Sequence, residues 1–147
     1  MIVNLYLHCT ANAPRKKIVG FAFVLEAITT KGPATLTIKG TMKDQTKNIA
    51  EVNVLNRALE QLMKPCELVI YGTPYLKNLI ESWLPEWEKN GWTTKRGKEV
   101  PPEIKTLKTN LKPHKYSMKS ELNSYSDWLK RTAEEEEVNE LKSQSKQ

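Results

Sequence analysis

The stretch from Asn48 to Trp92 constrains the fold most, because a periodic helix, a buried strand and a second helix follow one another there with only short breaks. Val54, Leu55, Ala58, Leu59, Leu62 and Met63 recur at the helical period, and Asn48 stands three residues before Glu51 in a capping-box pattern. A helix is therefore expected from Ile49 to Met63, stopped by Pro65. Glu51 falls on the same face as Leu55, Ala58 and Leu62, which turns its carboxylate inward. Two readings of it stay open: completion of the cap and of the helix dipole, or a carboxylate held beside the end of a sheet for metal binding or proton transfer. The apolar run from Cys66 to Gly72 is too short for a helix and reads as a strand. Thr73 and Pro74 then open the next helix as N-cap and first helical residue. This is the grammar of an α/β layer, in which functional groups collect beyond the carboxyl ends of the strands.

The residues of this stretch resemble a known family. Asn48, Ile49, Ala50 and Glu51, the helix they open, the strand ending at Gly72, and Tyr75 to Ile80 look like the central third of a type 1 ribonuclease H. The spacing of Trp83, Trp87, Gly91 and Trp92, with basic residues after it, is the most specific part. The resemblance implies an α/β fold with a five-stranded mixed sheet, three antiparallel strands and then two parallel, flanked by helices. It also implies two-metal hydrolysis of the RNA strand of RNA/DNA hybrids by four carboxylates.

The rest of the chain agrees with that order of elements. Ile2 to Leu7, Ile18 to Leu25 and Ala34 to Lys39 read as three strands separated by two turns. Pro101 and Pro102 open a helix through Ile104, Leu107 and Leu111, His114 to Met118 alternates as a fifth strand, and Asn123 to Asp127 supplies caps for a last helix. We expect one domain over residues 1–132 and an acidic, polar tail over 133–147, frayed from a helical extension. At 147 residues, 39% hydrophobic and 27% charged, the chain has ordinary globular composition. No apolar run approaches the roughly 20 residues that span a bilayer, and the start lacks the pattern of a signal peptide. A cytoplasmic protein without membrane partners is the expectation. Cys9 and Cys66 fall at opposite ends of neighbouring strands, too far apart for a disulfide.

Aligned by its strand pattern, the chain departs from the family in its chemistry. The family's first carboxylate falls at His8, the second at Glu51, the third at Gly72 and the fourth at Asp127. Only Glu51 and Asp127 are carboxylates, and an aspartate in a first helical turn is favoured by the dipole whatever its function. Paired magnesium ions need several hard anionic oxygens. Imidazole is a softer, uncharged or cationic ligand, and glycine offers nothing. The expectation is a catalytically dead or severely weakened member with no cofactor, with Glu51 and Asp127 as weak metal ligands at most. Magnesium or manganese would be needed if activity remains.

Binding does not depend on those oxygens. The net charge is +6, and Trp83, Trp87, Lys89, Trp92, Lys95, Arg96 and Lys98 resemble the family's basic protrusion, while Thr46 and Asn48 match positions that contact the hybrid backbone. Nucleic acid, as hybrid, duplex or single strand, is the expected partner. A residual nuclease using His8, Glu51 and Asp127, and a scaffold that meets a protein partner, are the alternatives.

Overall fold

The computed structural model describes residues 1–145. Five strands form one sheet in the order β3-β2-β1-β4-β5: β1 (Ile2–Cys9), β2 (Lys17–Thr29), β3 (Gly32–Gln45), β4 (Glu67–Tyr71) and β5 (Lys115–Lys119). β1, β2 and β3 pair antiparallel, and β4 joins β1 and β5 in parallel. The expected mixed sheet is present. Its helices are α1 (Lys47–Leu59), α2 (Pro74–Asn78), α3 (Leu84–Lys89), α4 (Pro102–Leu111) and α5 (Ser126–Ser145). A π-helical turn over Leu79–Trp83 joins α2 to α3. Pro85 follows it and has no N–H to give the preceding turn, a recognised cause of local helix distortion.

Strand alternation sorts the side chains into two layers. Val3, Leu5, Leu7 and Cys9 of β1 join the main core with α1, α4 and the α2–α3 segment. Tyr6 instead joins Ala22, Val24 and Leu129 on the α5 side. α5 lies almost directly on β2, because Gly20 carries no side chain to hold it off: a Cβ there would stand 1.9 Å from the Ala133 carbonyl oxygen. The stretch expected as a tail is helix as far as Ser145, with Ala133 fully buried and Glu137 ion-paired to Lys17 at 2.8 Å. Residues 146 and 147 lie outside the described residues.

Three local expectations are corrected. α1 begins at Lys47, two residues before the expected Ile49, and is capped by Thr46, not Asn48. The Ala13 carbonyl accepts the Lys47 N–H at 3.0 Å, so the first helical N–H is satisfied by backbone, and Thr46 makes no side-chain cap. α1 also ends at Leu59, because Gln61 and Leu62 donate to Ala58 and Leu59 in tightened three-residue turns that fold Leu62 back onto the core. β3 runs well past Lys39, its far end bent by an irregularity opposite Lys17 and Val19 with Asp44 at φ 55°.

Candidate functional site

β1 and β4 run parallel with Tyr71 beside Tyr6, so their carboxyl ends point to the same edge of the sheet, β1 running on to Cys9. An open cleft of about 410 Å³ forms there, lined by His8, Gly72, Thr73, Asp127 and Lys130 among others. Three of the four positions matched by the resemblance thus line one cleft. Glu51 stands behind it on α1, only 4% exposed, and reaches the cleft through Thr73: the Thr73 hydroxyl donates to Glu51 Oε2 at 2.9 Å and accepts from the Leu76 N–H at 3.2 Å. One hydroxyl therefore caps α2 and pins the carboxylate.

Burial pushes the Glu51 carboxyl above its ordinary value of 4.5, opposed by the Thr73 hydrogen bond and the Lys47 charge. A carboxyl raised in the folded state favours folding below its unfolded pKa, and that contribution is lost as pH rises through the folded value. Glu51→Gln should therefore melt at a higher temperature than the unmodified chain near pH 7, and the gap should close below about pH 4.5. Thermal unfolding across that range checks it; a Glu51→Gln chain less stable at neutral pH would contradict the sign.

His8 lies on the α5 side of β1. Burial lowers its pKa, the nearby Glu134 carboxylate opposes that and Lys130 adds to it, so the ring carries no negative charge and favours its neutral form. Asp127, Lys130 and Glu134 share one face of α5 at helical spacing. That spacing is the signal in the sequence that identifies Lys130 and Glu134 as neighbours of the site. Beside them, Glu26 accepts hydrogen bonds from Asn4, Tyr6 and Tyr125 at 3.1, 3.4 and 2.9 Å. Tyr6 stacks on Tyr71 at 4.6 Å, and its hydroxyl pKa is pushed up to about 12, first by burial and then by Glu26.

Among the described residues, no three His, Cys, Asp or Glu side chains converge as a group that could hold a metal. Cys9 is buried, and burial pushes its thiol up to about 11, away from the thiolate a metal would require.

The basic segment is a separate structure. Trp92, at φ 65°, follows Gly91 at φ 71°; its N–H donates to Trp87 and its carbonyl accepts from Val100, closing a short hairpin with a Thr93–Glu99 bridge. Thr94 holds the tip by accepting from Gly97 and pairing with Lys98, so Lys95, Arg96 and Lys98 project into solvent. Trp87 and Trp92 pack against the core, whereas Trp83 is 38% exposed and stacks on Trp87 at 6.1 Å. Trp83 and Trp87 share an open hollow of about 430 Å³ with Lys95, Arg96 and Lys98. Lys89 is exposed at the end of α3, and on α1 the exposed Asn48 and half-buried Thr46 provide no side-chain cap.

Sheet order, helix placement, the cleft at the parallel strand ends and the basic hairpin define an RNase H-like α/β protein. A family model for RNase H matches residues 7–123. The chain belongs to the RNase H family. The ribonuclease H of Francisella philomiragia subsp. philomiragia is 41% identical over 64 residues, which is 43% of this chain and 42% of that protein. The match thus spans less than half of that relative's length. Among solved structures, LC9-RNase H1, a type 1 RNase H with the type 2 active-site motif, superposes with a TM-score of 0.71 at 12% identity, covering 94% of this chain and 72% of that one. A foamy viral protease-reverse transcriptase in complex with dsDNA superposes with a TM-score of 0.68 at 13% identity, covering 94% of each. These two likenesses are of fold.

Proposed function

We propose that this chain binds nucleic acid, RNA/DNA hybrid first among its forms, through the basic hairpin and the start of α1, and does not cut it. One observation carries the reading: the charged, aromatic hairpin is built, while the cleft at the ends of β1 and β4 offers an imidazole and a glycine at two of the four positions matched to the family's carboxylates, and Glu51 is tied to Thr73. Phosphate contacts need only charge and reach. Hydrolysis needs anionic oxygens fixed around the metal pair. A foamy viral relative of the fold was solved with an RNA/DNA hybrid, which makes that duplex the first ligand to test.

Titration of a labelled hybrid at several salt concentrations tests the binding half. If Lys89, Lys95, Arg96 and Lys98 each meet a phosphate, affinity falls on the order of 10²-fold between about 50 and 200 mM salt. Combining Lys95→Ala, Arg96→Ala and Lys98→Ala should lower the log–log salt slope by about 2 to 3. Binding that ignores salt, or survives those three changes intact, would contradict the assignment. Metal-dependent cleavage abolished by Glu51→Gln would instead support a residual nuclease around Glu51 and Asp127.

A further inference from the structure

α5 crosses the sheet where Gly20 pairs with Thr41, and α1 stops at Leu59, so the opposite end of the β2–β3 hairpin is left uncovered. Pro33 to Thr37 of β3 are exposed without a break. β3 is also an edge of the sheet, so the outward-facing N–H and C=O groups of this run have no strand beside them. Ala34, Thr35, Leu36, Thr37 and Ile38 carry no charge and are mostly β-prone. On the α1 face lies an open groove of about 400 Å³, lined by Val3, Leu25, Leu36, Leu62, Met63 and Cys66 among others. Leu36 is 45% and Met63 92% exposed.

We propose that this edge accepts an extended polypeptide strand from a protein partner, apolar at alternate positions and flanked by acidic residues. Unpaired edge amides select an extended backbone, and the pleat of an added strand turns every second side chain toward the groove. Charge selects the flanks. Lys31, Lys39 and Lys43 are exposed along β3 and its turn, and Lys64 lines the groove, whose described lining holds no acidic residue. The same lysines oppose a second copy of this chain, since antiparallel self-pairing centred on Thr37 sets Lys31 against Lys43. This surface is distinct from the basic hairpin and does not depend on nucleic-acid binding.

Fluorescence anisotropy with three labelled peptides tests it on the full chain. The first alternates valine and threonine with two glutamates at each end, the second has lysines at the ends, and the third carries a proline at its centre. The first should bind, the other two at least about tenfold more weakly, and amide exchange of Ala34 to Ile38 should slow in the bound state. Leu36→Asp and Lys39→Glu, both at exposed positions, should weaken it by about fivefold or more while leaving hybrid affinity unchanged. Absence of binding, equal binding of all three peptides, or self-association through β3 in sedimentation would overturn the proposal.

Discussion

Replacing His8 and Gly72 together by aspartate is expected to make this protein cleave RNA in RNA/DNA hybrids in magnesium, at least about 10³-fold faster than the unmodified chain. The scaffold has room for both changes. The nearest atoms to a Cβ at Gly72 are side-chain atoms, the Leu76 Cδ1 at 3.2 Å, which must give by a few tenths of an ångström, the Leu76 Cβ at 3.6 Å and the Met118 Cε at 3.8 Å. Aspartate is smaller than the half-buried imidazole it replaces at residue 8. With Asp127 already on the cleft wall and Glu51 one hydroxyl rotation from release, the double variant restores four carboxylates at the ends of β1 and β4 and on α1 and α5. Anionic oxygens are what a divalent pair requires, so each single replacement should give far less than the double. Single-turnover cleavage of end-labelled hybrid, with circular dichroism to verify folding, is the measurement. A double variant that folds and binds hybrid yet stays silent in magnesium and manganese would mean that something other than the missing ligands suppresses the chemistry.

Gly20→Ala should cost roughly 3 kcal/mol or more, the upper part of the range for overpacking a dense interior, and lower the melting temperature by on the order of 10 °C for a domain of this size. The added methyl would meet the Ala133 carbonyl oxygen at 1.9 Å and the Glu137 amide nitrogen at 2.9 Å. Both are helix backbone and cannot swing aside as a side chain does. α5 must lift, taking with it Leu129 and Ala133 from the sheet and the Lys17–Glu137 pair. Because Asp127, Lys130 and Glu134 ride on the same helix, the cleft would widen as well. Gly40→Ala is the internal comparison: its Cβ meets only the Phe21 ring edge at 3.3 Å, and the loss should be much smaller. Equal stability of Gly20→Ala and the unmodified chain would mean that α5 does not rest on the sheet at this point.

Much of this was legible in the sequence because local and global signals agree. The periodicity of α1, the Thr73-Pro74 start of α2 and the double proline before α4 each announce themselves within a few residues. His8, Gly72 and Asp127 were legible as candidate positions through the resemblance and line one cleft, whereas the contacts around them were less legible. Thr73 is recognisable as a cap, but its second bond to Glu51 spans 22 residues and depends on how α1 seats against α2. The capping role read for Asn48 failed because the helix starts at Lys47, whose N–H is taken by the backbone carbonyl of Ala13, far upstream. The three tryptophans look equivalent by spacing, yet only Trp83 offers an exposed ring, while Trp87 and Trp92 pack against the core. Gly20 carries no signal at all in one dimension, because its importance arises from a helix more than 110 residues away.

The chain has the RNase H scaffold and a basic hairpin, and the proposed reading is that it binds hybrid without cutting it. The most direct measurement incubates excess unmodified protein with end-labelled RNA/DNA hybrid in magnesium and in manganese, alongside Glu51→Gln, and follows complex formation and strand integrity in the same samples. The prediction is a salt-sensitive complex in which the RNA stays whole for both proteins. RNA cut by the unmodified chain, and spared by Glu51→Gln, would contradict it.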